Sequence, residues 1–130
     1  MRIAQIARVV AAWTAIGLGG CGSGIRLGEV TGVVTLNGQP TSGLQVQFDP
    51  QDISRPSSLG FTRADGTYRL QSSIHEPGAV LGVHTVRVRA AEGGEGASPV
   101  VIAKRYNDES TLTCAVKAGT NTYNIEITSP

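Results

Sequence analysis

From Val30 to Ile127 the chain is a succession of short segments in which apolar and polar residues alternate one by one, with turn residues between them. A two-residue period places successive side chains on opposite faces of an extended strand. Val30, Gly32, Val34 and Leu36 share one face of the first segment. Leu44, Val46 and Phe48 alternate with Gln45, Gln47 and Asp49. Leu59 and Phe61 are expected on the inner face of a third strand. Tyr68 and Leu70 follow, with Thr67, Arg69 and Gln71 outside. Val86 and Val88 oppose Thr85, Arg87 and Arg89. Leu112, Cys114 and Val116 oppose Thr111, Thr113 and Lys117, and Tyr123, Ile125 and Ile127 oppose Asn124 and Glu126. No stretch after residue 20 sustains the 3.6-residue period of an amphipathic helix.

Between these segments lie Asn37-Gly38, Asp65-Gly66 and Ala118-Gly119, dipeptides that favour tight turns. Pro40 and Gly43 suggest that the first of these loops is longer than two residues. Two longer breaks are expected, at 49–57 and 92–103, the second glycine-rich. Seven strands, each with one apolar face, bury those faces most economically as two packed sheets in roughly 100 residues. The expected fold is all-β: a single seven-stranded antiparallel β-sandwich over 28–130.

The first twenty residues differ in kind. Arg2 and Arg8 precede the apolar run from Val9 to Leu18, and Gly19, Gly20 and Cys21 follow. Positive charge, a short apolar run and small residues are the order of a secretory signal, and the run is too short to span a membrane stably. Leu18-Gly19-Gly20-Cys21 resembles the bacterial lipobox. That resemblance implies removal of 1–20, acylation of Cys21, and a lipid anchor in the membrane, with 21–27 as a flexible tether. Gly22 after the cysteine favours, by the same analogy, an outer membrane where the cell has one. Loss of Arg2 and Arg8 from 11 basic residues leaves 9 against 10 acidic ones, one net negative charge. No polybasic footprint for nucleic acid remains. Cys114 is then left without a cysteine for an internal disulfide.

The antibody pattern of two cysteines and a core tryptophan is absent once the leader, with Trp13, is removed. The order of turns instead resembles the carboxypeptidase regulatory-like domain, a transthyretin-like (prealbumin-like) Greek-key sandwich. The matching residues are Val30-Thr31-Gly32-Val33-Val34, Asn37-Gly38-Gln39-Pro40, Gly43-Leu44-Gln45-Val46-Gln47-Phe48 and, most tellingly, Thr62-Arg63-Ala64-Asp65-Gly66-Thr67-Tyr68-Arg69-Leu70. Gly82-Val83-His84-Thr85-Val86-Arg87-Val88 is similar to the family's Pro-Gly-x-Tyr-x-Val strand, with Leu81 for the proline and His84 for the tyrosine. The tail, from Ala103-Lys104-Arg105-Tyr106-Asn107-Asp108 to Asn121-Thr122-Tyr123-Asn124-Ile125, resembles a bacterial lipoprotein subset of that family. These motifs are structural and speak to fold before function.

Chemistry-bearing residues are sparse. His75 and His84 with Glu76 do not offer the ligands of a zinc site on one rigid element. His84 reads as a packing residue and His75 as an exposed loop residue. Asp49, Asp52, Asp108 and Glu109 lack the spaced acidic loop that calcium favours. Cys114 points inward, where a thiol is inert. There is no Gly-x-Ser-x-Gly elbow, and the ending lacks the Tyr-Arg-Gly-Ser of the hydroxyisourate hydrolases. No catalytic, metal or cofactor site is expected. Arg63, Arg69, Arg87, Arg89 and Tyr106 form the candidate surface patch. The expectation is a noncatalytic, monomeric envelope module on a lipid anchor at Cys21, with a protein or glycan partner and no nucleic acid. Carbohydrate binding is the alternative reading, with Tyr106 as the one free ring.

Overall fold

A computed structural model describes residues 25–91 and 100–130. The expected leader, Cys21 and the glycine-rich residues 92–99 lie outside the described residues. Within them the chain forms eleven strand segments: β1 (Leu27–Leu36), β2 (Gln39–Pro40), β3 (Leu44–Pro50), β4 (Ser58–Phe61), β5 (Thr67–Arg69), β6 (Gln71–Ser72), β7 (Ala79–Val80), β8 (Gly82–Ala90), β9 (Thr113–Val116), β10 (Thr120–Thr122) and β11 (Ile125–Ile127). One 3-10 turn, Lys104–Tyr106, precedes β9. No helix among the described residues is long and apolar enough to cross a membrane.

The segments form two sheets. In the first, the ten-residue β1 is the hub. Along one edge it takes β7, β5 and β2 in turn, all antiparallel. Along the other it takes β10 and then β11, both parallel. The sandwich is therefore not wholly antiparallel, as the alternation alone suggested. Where the chain breaks between β10 and β11, the Asn124 side chain accepts the Val33 N–H at 3.0 Å and fills the gap in the ladder. The second sheet runs β6-β4-β3-β8-β9 and is antiparallel throughout.

Between the sheets lie Val30, Val34, Leu44, Val46, Phe48, Tyr68, Leu70, Val86, Val88, Ile125 and Ile127, all buried. Cys114 and Tyr123 pack against this core but stay half-buried. Gly32 is required by a close approach. A side chain there would strike the Tyr123 carbonyl and the Tyr68 ring, whose hydroxyl donates to that carbonyl at 2.5 Å.

Asn37 and Gly38 both have positive φ (54° and 85°), and Leu36 pairs directly with Gln39. The loop is thus the two-residue hairpin that Asn-Gly favours, tighter than Pro40 and Gly43 suggested. At the second turn, Asp65 accepts the Thr67 N–H at 3.1 Å and its hydroxyl at 2.6 Å, and Gly66 takes φ 81°.

β4 reverses the expected orientation. Ser58, Gly60 and Thr62 face inward; Leu59 and Phe61 face out. The inner side has no room for large groups. A Cβ on Gly60 would sit 2.7 Å from the Arg69 carbonyl, because the β5–β6 segment crosses at that point. Ser58 spends its hydroxyl on the Gly78 carbonyl (3.0 Å), and Thr62 accepts the Leu44 N–H (2.9 Å).

Candidate binding surface

The outward positions of the second sheet make one continuous face. Strand register sets its rows. Gln71, Leu59, Gln47 and Arg87 lie side by side across β6, β4, β3 and β8; Phe61, Gln45 and Arg89 form the next row. The polar members are tied together. Arg89 Nη2 donates to Gln47 Oε1 at 3.3 Å, Gln47 Nε2 to Asp49 Oδ1 at 2.8 Å, and Arg87 Nε to Asp49 Oδ2 at 3.0 Å. Arg87 Nη1 also donates to the carbonyls of Asn107 (2.5 Å) and Asp108 (3.3 Å), tying the segment after the 3-10 turn to β8. Arg89 Nε is buried without an acceptor. A planar guanidinium held in this way keeps a fixed donor geometry, which suits recognition of planar oxygen acceptors.

Beside this polar network stand the apolar members. Phe61 is 55% exposed, and Leu59 is exposed next to it. A cleft of about 350 Å³ is lined by Leu59, Phe61, Arg69, Gln71 and His75 among others, and a neighbouring one of similar size by Arg63, Arg69 and Gln71. Arg63 and Arg69 therefore share one end of the face, and Arg87 and Arg89 the middle. Tyr106 does not join them as a free ring. Its hydroxyl accepts the Thr128 N–H at 3.1 Å and shares a hydrogen bond with Thr128 Oγ1, while Arg105 stacks over the ring at 4.7 Å. The hydrogen bonds from Thr128 hold the Tyr106 phenol below its ordinary pKa. The exposed ring is Phe61, which the alternation had placed inside. The glycine at position 60 was the available signal, since a strand glycine marks a close backbone approach.

The other chemistry-bearing groups are structural in their surroundings. His84 is fully buried, tilted against Phe48 with ring centroids 5.5 Å apart. Its Nε2 lies 2.6 Å from the Val80 carbonyl, which can only accept, so that nitrogen carries the proton and Nδ1 is left without a partner. His84 is the register partner of Cys114 on β9. Burial pushes the Cys114 thiol above its ordinary pKa, the reverse of what a reactive thiolate needs. His75 is exposed in the turn after β6, with φ 67°. Asp49 and Asp52 are each ion-paired with an arginine, Arg87 at 3.0 Å and Arg55 at 3.7 Å. Among the described residues, no three His, Cys, Asp or Glu side chains gather as metal ligands would.

No known family profile matches the chain, and no curated protein matches it. Among solved structures, the chain is similar to a DUF3823 family protein from Parabacteroides merdae. The two are 21% identical with a TM-score of 0.49, over 79% of this chain and 46% of the other, so the chain spans under half of that protein's length.

Proposed function

We propose that the chain is an envelope lipoprotein, anchored through Cys21, whose sandwich is a noncatalytic module that engages a protein partner through the outer face of its second sheet. The observation that carries this reading is the exposed Phe61–Leu59 pair beside a fixed network of Gln47, Asp49, Arg87 and Arg89. Aromatic and arginine side chains are the usual anchors of protein interfaces. The finer classification we favour is the carboxypeptidase regulatory-like, transthyretin-like Greek key, on the strength of the Thr62–Leu70 motif and its Asp65 turn.

The test is a paired experiment on the full chain. Cys21→Ser abolishes incorporation of a palmitate analogue and releases the protein from membranes. Leu59→Ser/Phe61→Ser keeps the anchor and the circular-dichroism spectrum but loses a partner that co-purifies stoichiometrically with the wild type. A wild type that incorporates no palmitate analogue refutes the anchor, and equal co-purification by both proteins refutes the interface.

A second reading, carbohydrate binding, is favoured by the same Phe61 ring, whose register neighbour is Gln45 and whose cleft holds Arg69. An exposed ring flanked by amide and guanidinium donors can stack on a sugar and bond its hydroxyls. Retardation of the wild type, but not of Phe61→Ser, in gels containing envelope polysaccharide distinguishes it.

A further inference from the structure

We propose that the end of the sandwich from which β1 emerges rests on the bilayer that holds the anchor, with Ile25, Ile53, Ile74 and Val83 dipping into its headgroup region. The proposal rests on the acylation of Cys21 and adds the orientation of the domain on the membrane.

Seven large apolar side chains are exposed among the described residues, and these four lie at one end. Ile25 precedes β1, Ile53 tips the β3–β4 loop, Ile74 tips the turn after β6, and Val83 opens β8. Backbone bonds hold these pieces together. Leu81 N–H donates to the Arg26 carbonyl (3.2 Å), Gln51 N–H to the Val83 carbonyl (3.0 Å), and Ser73 N–H to the Ser57 carbonyl (2.9 Å). Shallow clefts lined by Arg26, Arg55, Leu81 and Val83 run between them. Ile53 is 94% exposed, so its side chain is nearly unsupported by the fold. Single exposed aliphatics are ordinary; a loop-by-loop crown of them is not. At the opposite end the turns at 37–38, 41–43 and 63–66 carry Asn, Gly, Thr, Ser, Arg, Ala and Asp, with no large aliphatic; the other three exposed apolar side chains are Leu59 and Phe61 on the second sheet and Val101 before the 3-10 turn.

The occupant follows from where the chain leaves the fold. Three residues, Gly22, Ser23 and Gly24, separate Cys21 from Ile25, a reach of at most about 14 Å when fully extended. An acyl chain at Cys21 therefore holds this end, and no other, within a headgroup layer's thickness of the bilayer. At that range the effective concentration of lipid is high, and weak apolar contacts suffice. Charge does not supply the attraction: Arg26, Arg55 and Lys117 are offset by Glu29, Asp52 and Glu76. The contact is thus apolar and needs no anionic lipid. It also leaves the Phe61 face pointing sideways, free for a partner.

The test places one tryptophan in the full, acylated chain, in phosphatidylcholine vesicles containing brominated phosphatidylcholine. Trp13 lies in the segment that processing removes, so the introduced indole is the sole emitter. Ile53→Trp and Ile74→Trp should emit at shorter wavelength than Phe61→Trp and be quenched at least twofold, while Phe61→Trp is unquenched. Equal response of all three, with Cys21 acylated, overturns the docking and leaves the anchor standing. Ile53→Trp shielded from aqueous quencher but untouched by brominated lipid means that a protein or a second copy covers this end, and also overturns it. A chain found unacylated and free of vesicles overturns both readings.

Discussion

Replacing Phe48 and Phe61 by alanine, one at a time, tests the orientation of the second sheet. Phe48 is wholly buried at the centre of β3, its ring 5.5 Å from that of His84 and edge-on to Tyr123 at 6.0 Å. Phenylalanine-to-alanine changes in a core cost about 3–5 kcal/mol. The upper half of that range is expected. Two ring contacts vanish together, and His84, fixed on the Val80 carbonyl, cannot swing in to fill the cavity. Phe61 keeps about half of its surface in water. Full burial of such a side chain stabilises by about 1.5–3 kcal/mol, so its removal should cost about 1 kcal/mol.

The assay is urea unfolding followed by circular dichroism in the Cys21→Ser background, with the slope of free energy against denaturant unchanged between variants. Phe48→Ala takes much of the stability of a small domain, so Phe48→Leu serves as the milder companion if the alanine variant does not fold. Equal losses at 48 and 61, or a larger loss at 61, would show that β4 presents Leu59 and Phe61 to the core and refute the face described above.

Three further outcomes follow from the same structure. Burial raises the Tyr68 phenol far above its ordinary 10.0 and raises Tyr123 as well, whereas hydrogen bonds from Thr128 lower Tyr106. Because the Tyr68 value is raised on folding, its stabilising contribution is whole below pH 10.0 and is lost above it; tyrosinate absorbance should rise first for Tyr106, and for Tyr68 only as the sheets come apart. Simultaneous titration of all three in an intact fold would contradict this. Asp65 is lowered below 3.8, first by the Thr67 hydroxyl and then by the Thr67 N–H, so its contribution is present above that pH and lost below it. The gap in urea midpoint between wild type and Asp65→Ala should therefore close on acidification, and a constant gap would sink the assignment. Cys114 should label slowly with thiol reagents until the domain unfolds, and Cys114→Ala should cost about 1 kcal/mol; labelling as fast as a free thiol would count against its burial.

Much of the sandwich was legible because most strands carry their face in the residues themselves. Leu44, Val46 and Phe48 face inward as their alternation with Gln45, Gln47 and Asp49 predicts, and so do Tyr68 with Leu70 and Val86 with Val88. β4 was not legible, since its inner residues are Ser58, Gly60 and Thr62 and its outer ones are the apolar pair. Side-chain polarity points one way there, and the passage of Arg69 over Gly60 decides the other. That carbonyl is a tertiary neighbour, invisible to a local pattern. The same reversal hid the exposed ring of the candidate site and made Tyr106 seem the free one. The short segments β2, β6, β7 and β10 escaped for a different reason: two or three residues are too few to show a period. The arginines were read correctly as outward, but Arg87 and Arg89 proved to be fixed in a network whose members come from separate strands.

The place of β1 links fold and anchorage. It is the first strand after Cys21, and it alone pairs with β2, β5, β7, β10 and β11. With the anchor proposed at Cys21, a pull from the membrane would enter the domain at Leu27, along the axis of that strand. Antiparallel ladder bonds lie perpendicular to the strands, so a load along β1 is shared by the antiparallel ladders on one edge, while the slanted bonds of the parallel pairs resist it on the other. Leu81 N–H to the Arg26 carbonyl on the antiparallel edge and Glu29 N–H to the Gly119 carbonyl on the other, at 3.2 and 2.8 Å, are among the first backbone bonds to take it. An anchor entering at β6, whose two residues pair mainly with β4, would instead peel its strand away one bond at a time. The strand that the proposed tether would load is thus the one the rest of the first sheet is built around.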